Sequence, residues 1–314
     1  METFLKNELG NVDFNLDKIK EKQVQNLACN ENFDSKILKC TDLNKIKIGL
    51  EFVENKEQET LFNYYRNITS SMPQSEIPGR NVKILVYDKI SCKYLGLLQL
   101  TVDLLINENK TKYFHLNESN YNRFKKELRN SGANISLCVP LQPFGFNFCG
   151  GKLLSMLAFS KEVIDYYNSK FNIILKYLIT LSINGKSVQY SRLKELKFIG
   201  FTSGYGVTHI SEVLVENMKE YLISQKVNIK SMSKHTIVVQ TIKKLKLNEG
   251  EILNHNKKKG IYIGMVGNIS QDFLISKEKD YKSSLDSIED IFESYKEKYG
   301  IKRQTHLLST KRFK

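Results

Sequence analysis

The stretch QPFGFNFCGGKLLSML, residues 142 to 157, gathers the side chains best suited to holding a ligand: three glycines, a lysine and two amides, set between an apolar run and a helical pattern. A strand, a glycine-rich turn and a helix N-terminus together form an anion-binding device, because backbone N–H groups point outward and the helix dipole favours negative charge. Spacing excludes two versions of it. A Walker A loop needs four residues between its glycines and a hydroxyl after its lysine, whereas five residues separate Gly145 from Gly151 and Leu153 follows Lys152. A dinucleotide fingerprint needs a one-residue gap between glycines, and no pair of these glycines has one. What remains is a general cradle. Gly145, Gly150 and Gly151 either let the backbone approach a ligand or serve a turn that needs close packing. Lys152, at a helix start where the dipole disfavours a cation, suits an anion better than it suits the helix. Gln142 and Asn147 either orient a ligand amide or satisfy loop backbone groups.

Downstream, Tyr190 and Arg192 form the best polar pair for contacting a substrate or cofactor, and His209, just after TSGYG with Tyr205 in it, is a candidate general base because its pKa lies near neutrality. Cys149 has no adjoining base at a Cys/His spacing, so it is a poor nucleophile candidate. The other histidines have no HxH or HxxxH spacing, and nothing local nominates a metal site.

The elements that must position these residues follow from periodicity. KIKIGLEFVE (45–54) alternates as a half-buried strand, and QETLFNYYRNITSS (58–71) has helical spacing. NVKILVYD (81–88) and KYLGLLQLT (93–101) read as an antiparallel hairpin around the polar turn KISC. A short basic helix over 116–132 is inserted before the strand 135–144, which Pro140 ends or bends. One helix is expected over 152–171, a strand over 174–184, a short helix over 187–196 and a strand over 198–206. Further on, helices are expected over 211–225, 235–247 and 283–300, with a strand at 260–266. The order predicts an α/β fold with a mixed, mostly antiparallel sheet and helical crossovers. The expected organisation is a helical arm over 1–44, the α/β domain over 45–206, and a basic C-terminal extension over 207–314, helical with one strand.

Bulk properties bound the partners. With 41% hydrophobic and 26% charged residues the chain has the composition of a folded protein. No apolar run reaches the roughly 18 residues that span a bilayer, and no signal segment is apparent at the N-terminus, so a cytoplasmic protein is expected. Five widely spaced cysteines with no CxxC predict reduced thiols. The net charge of +14 favours a polyanion such as nucleic acid, although lysine supplies all but seven of the 48 basic residues, so composition bias contributes to it.

Two resemblances sharpen this. Gln142, Pro143, Phe144, Gly145 and Phe146 follow the Gln/Arg-x-x-Gly-x-Gly/Ala loop of the N-acetyltransferase (GNAT) fold until Asn147 departs from it. GGKLL resembles the helix start after that loop, which leaves two registers open. SVQYSRLKELKFIGFTSGYG is similar to the same fold's later signature, with Leu196 in place of its usual tyrosine. The resemblance implies acetyl-CoA or a related acyl-CoA held at Gln142, Gly145, Asn147, Gly150, Gly151 and Lys152. It further implies proton transfer by Tyr190 or His209 and substrate contacts from Arg192 and Tyr205. It also implies that the strands near 135–142 and 174–182 part beside the loop to admit a pantetheine arm.

The GGKLL turn, the QYSRLK segment and the FTSGYG turn, with GRNVKILVYDKISCKYLGLLQLTVDL upstream, resemble the DruA family of Druantia anti-phage systems and its phage and mobile-element relatives. That resemblance covers about residues 45–266 and implies a role in phage–host conflict, with DNA as partner. Two functions are therefore expected: an acyl-CoA-dependent transferase acting on nucleic acid, or a non-catalytic DNA-binding component that keeps the fold without CoA.

Overall fold

A computed structural model describes residues 1–10, 31–70, 79–105, 107–183, 185–202, 210, 212–230, 232–253, 258–274 and 285–314. Seven strands form one open sheet: β1 (Ile48–Phe52), β2 (Asn81–Asp88), β3 (Lys93–Val102), β4 (Gly132–Pro140), β5 (Tyr177–Ser182), β6 (Lys197–Phe201) and β7 (Gly260–Met265), in the order β1-β2-β3-β4-β5-β7-β6. Every neighbouring pair is antiparallel except β4 and β5. The fold is thus α/β with a mixed, mostly antiparallel sheet. β7, the last of the described strands, inserts between β5 and β6.

The described helices used below are α1 (Glu2–Gly10), α2 (Lys56–Thr69), α3 (Glu108–Tyr113), α4 (Glu118–Ser131), α5 (Phe144–Phe148), α6 (Gly150–Leu157), α7 (Lys161–Phe171), α8 (Glu212–Ser224), α9 (Lys234–Lys244), α10 (Glu249–Leu253), α11 (Ile288–Tyr295) and α12 (Ile301–Ser309). None is long and apolar enough to cross a membrane.

Because strand side chains alternate, each strand serves two cores. Ile84, Val86, Leu98, Leu178 and Tyr262 face α6, α7 and α11, where Leu153, Leu157, Ile164 and Phe292 pack on them. The opposite face carries two separate clusters. Leu85, Leu97 and Leu137 pack under Leu61, Phe62 and Tyr65 of α2, and Tyr177, Ile179, Ile261 and Ile263 pack under Phe114, Leu116 and Leu128. Each such fully buried side chain stabilises the fold by about 1.5–3 kcal/mol relative to leaving it exposed. Residues of α1, α8, α9 and α10 make a further apolar cluster that includes Leu5, Leu214, Met218, Ile237 and Leu253.

Three local expectations change. The single helix over 152–171 is two, because Ser160 adopts an extended conformation and its hydroxyl accepts the Val163 amide at 3.4 Å. A cap that starts a new helix competes with continuing the old one. The segment 187–196 is a set of turns, not a helix. It holds one i→i+4 bond, from the Ser191 amide to the Ser187 carbonyl at 2.9 Å, and Arg192 ends it with φ +65°. The helix expected to stop at Gly300 instead passes through it by a π-helical turn over Lys296–Gly300 into α12. A Cβ on Gly300 would clash with Leu43, so glycine there serves close packing, not termination.

Candidate functional site

After β4 the chain turns at Leu141–Pro143, with a cis Gln142–Pro143 peptide, into the one-turn helix α5. Cys149, at φ +56°, then redirects it into α6. Five amides of this loop are already used within the chain, those of Gly145, Phe146, Asn147, Cys149 and Lys152. Gly145 N donates to the Leu141 carbonyl at 2.8 Å, Asn147 N to the Pro143 carbonyl at 3.0 Å, and Lys152 N to the Cys149 carbonyl at 2.9 Å. Cys149 N donates to the Gly145 carbonyl. Gln142 Oε1 accepts the Phe146 amide at 3.0 Å, so this side chain caps the loop.

The other sequence-predicted ligands are also committed to structure. Asn147 is fully buried and pairs both ends of its amide with the Lys314 backbone, donating to its carbonyl at 2.5 Å and accepting its N–H at 3.0 Å. A Cβ on Gly145 would sit 2.7 Å from Pro140, one on Gly150 2.7 Å from the Phe144 ring, and one on Gly151 2.9 Å from the Gln189 side chain. The glycines therefore allow close packing of the chain on itself. Lys152 is buried, donates from Nζ to the Ser191 carbonyl at 2.7 Å, and lies 4.8 Å from the centroid of the Tyr299 ring. Burial pushes its pKa down. Phe144 and Phe148 lie in the core, and Phe146 is covered by Arg303 and Lys314.

The segment carrying Tyr190 and Arg192 does meet this loop. β4 and β5 pair only over Gly132–Asn134 and Tyr177–Ile179 and then part. Gln189 enters the gap, where its Nε2 donates to the Cys138 carbonyl at 2.9 Å and lies 3.4 Å from Ser155 Oγ. Thr180 Oγ1 closes the gap lower down by donating to the Ile135 carbonyl at 2.9 Å. Tyr190 is buried with its ring 5.2 Å from that of Tyr262, and burial raises its hydroxyl pKa well above the ordinary tyrosine value. Arg192 contributes its carbonyl, which accepts the Tyr299 hydroxyl at 2.5 Å. The end of α11 and the residues after α12 seal the arrangement, since the Tyr295 hydroxyl donates to the Phe148 carbonyl and the Phe313 ring packs on Phe148. Tyr205 and His209 lie outside the described residues. Among the described residues no group of three or more His, Cys, Asp and Glu side chains is placed to hold a metal ion.

A recessed surface that the sequence did not nominate lies elsewhere, where α3 and the start of α4 meet the β6 edge. It is an open trough of about 1220 Å³ lined by Asn109, Lys112, Tyr121, Asn122, Phe201 and Lys258 among others. Asn109 Nδ2 donates to the Phe201 carbonyl at 2.8 Å and ties α3 to β6. Beneath it, Asp103 and Lys110 form a buried ion pair, with side-chain exposures of 0% and 7%. Asp103 also accepts the Tyr177 hydroxyl at 2.7 Å and the Leu105 amide at 2.9 Å. Burial first, and then the Asp103 charge, hold the Tyr177 hydroxyl well above the ordinary tyrosine range. The sequence signal for this trough was faint. Asparagines at 107, 109, 117 and 122 flank the inserted helices, but their meeting with β6 spans some ninety residues.

The fold and its loop define a class: a mixed-sheet α/β protein whose one parallel strand pair parts beside a glycine-rich turn, with that turn packed on its own chain. The family model for Druantia protein DruA matches residues 8–275, and the chain belongs to the DruA family. Druantia protein DruA of Escherichia coli (strain UMEA 4076-1) is 27% identical over 175 residues, covering 49% of this chain and 41% of that relative, so the match spans less than half the relative's length. No solved structure matches. Residues 285–314, which seal the loop, lie beyond the family-matched span.

Proposed function

We propose that this chain is a DNA-binding component of an anti-phage defence system, built on an acyltransferase-like sheet and working without acyl-CoA. Membership of a family named for a Druantia protein supports the defence role. The sheet order, with β4 and β5 as the sole parallel pair and diverging after three residues, supports the likeness to the N-acetyltransferase fold. The observation that carries the CoA-free reading is the placement of Gln189 against β4, on the Cys138 carbonyl where the strands have parted, together with the use of five loop amides inside the chain. A pyrophosphate needs outward N–H groups, and a pantetheine arm needs the space that Gln189 takes. Gln189 and the committed side chains of Gln142, Asn147 and Lys152 therefore count against the cofactor. The net charge of +14 supports a polyanionic partner.

The transferase reading, with acyl-CoA on Gln142, Gly145, Asn147, Gly150, Gly151 and Lys152, keeps one observation in its favour, the parting of β4 and β5. Calorimetry with acetyl-CoA and DNA titrations at varied salt separate the two. The CoA-free reading expects no heat at millimolar acetyl-CoA. It also expects DNA binding whose log K falls with log salt by about 0.9 per duplex phosphate neutralised, unchanged in a folded Lys152→Ala variant. It falls if the protein has no affinity for DNA at low salt, or if acetyl-CoA binds and Lys152→Ala weakens that binding.

A further inference from the structure

We infer that the trough between α3, the start of α4 and the β6 edge binds a single nucleic-acid strand, which rests on the nucleic-acid reading above and names the form of the ligand. Its volume of about 1220 Å³ exceeds the roughly 300–1,000 Å³ typical of small-molecule sites, which suits a polymer crossing it. Its shape argues against a duplex. Duplex readers push a helix or ribbon into a groove about 12 Å wide, whereas this surface is recessed and has no projecting element among its lining residues. A recess takes bases that have left their stack.

The lining chemistry agrees. Phe201 is 44% exposed at the sheet edge, with its ring meeting Phe198 edge-on, and the half-buried Tyr121 stands in the same trough. The exposed part of Phe201 is a stacking platform of the kind that accepts any base. Asn122 brings an amide with both donor and acceptor ends, the complement of base edges, while the Asn109 Nδ2 is held by the Phe201 carbonyl. Lys258 supplies a cation for the backbone, and an adjoining recess adds Lys125 and Arg129. The acids nearby are neutralised within the chain: Glu108 pairs with Lys112 at 2.6 Å, and Asp103 pairs with Lys110 below the surface.

The backbone is built for this geometry. Gly200 sits at φ +138° beside a bulge in the β6–β7 pairing, and a Cβ there would lie 2.7 Å from the Asn109 side chain. Only glycine lets Asn109 lean over the strand edge to reach the Phe201 carbonyl. Bulges of this kind re-aim side chains next to functional surfaces.

The test is fluorescence anisotropy of the full chain with labelled oligo-dT, oligo-rU and a duplex of equal length, long enough to cover the roughly 4–16 nucleotides of a strand-binding site. Single strands are expected to bind more tightly than the duplex. Phe201→Ala is expected to weaken single-strand binding roughly 5- to 150-fold, the range for losing one stacked base. Combining Lys125→Ala with Lys258→Ala should lower the salt slope by about 0.7 per lost phosphate contact, and Lys302→Ala on α12, outside the trough, should change nothing. Preference for the duplex overturns the inference, as does parental single-strand affinity in folded Phe201→Ala and lysine variants. Tighter binding of oligo-rU than oligo-dT keeps the trough and overturns the DNA assignment. A chain that binds none of the three sinks both.

Discussion

The strongest stability test targets Lys110, which sits on α3 directly beneath the trough. Lys110→Ala removes the partner of Asp103, a carboxylate with no exposed side-chain surface. The variant leaves Asp103 with the Tyr177 hydroxyl and the Leu105 amide as hydrogen-bond donors but with no neutralising charge. Breaking one side of a buried pair strands a charge and costs about 3–5 kcal/mol. For a domain of this size each kcal/mol shifts Tm by roughly 2–4 °C, so a fall of roughly 6–20 °C is expected, followed by circular dichroism or urea unfolding. The double variant Asp103→Leu with Lys110→Met should recover most of the loss, because well-packed apolar side chains replace buried ion pairs at little cost. Glu108→Gln, which breaks the exposed Lys112–Glu108 pair on the same helix, should leave Tm unchanged. A Lys110→Ala variant within about 1 kcal/mol of the parent would refute the reasoning, as would a double variant as unstable as the sum of its parts.

Two further outcomes follow from titrating groups. Burial works to raise the Asp88 pKa, but its hydrogen bonds from the Ser91 hydroxyl and from the Lys47, Ser91 and Ile90 amides outweigh that and hold it below the ordinary aspartate value. The folded state therefore favours the ionised form, so this contribution is complete above the unfolded pKa of about 3.9 and is lost as pH falls through the lower folded value. Acid unfolding monitored by fluorescence should show a shallower acid limb in Asp88→Asn, and an unchanged limb would count against the network. Among the described cysteines, Cys92 is exposed while burial pushes the Cys138 thiol up to about 12. Iodoacetamide near the ordinary thiol pKa of about 8.5 should alkylate Cys92 well before Cys138 by mass spectrometry, and equal rates would contradict the packing.

The glycine-rich stretch shows where sequence reading stops. Its spacing was enough to exclude a triphosphate loop, and GGKLL was correctly placed at a helix start. Its glycines, however, answer to Pro140, Phe144 and Gln189, none of which the spacing identifies as a neighbour. Lys152 looked misplaced at a helix start because its partner, the Ser191 carbonyl, lies thirty-nine residues on. Gln189 was legible only as part of the QYSRLK segment, because a polar side chain on an expected short helix reads as solvated until its partner on β4, the Cys138 carbonyl, is known.

What the sequence by itself determined is local. The β2–β3 hairpin and the strands β5 and β7 follow from apolar runs and turn residues that lie next to one another in the chain. The tertiary structure alone decided that β7 inserts between β5 and β6, that β4 and β5 part, and that α3 reaches β6 to form the trough. Alternation says which face of a strand is buried but not which strand lies beside it. Strand neighbours are chosen by long-range pairing, whose gain is shared across the whole sheet and written in no single stretch of the chain.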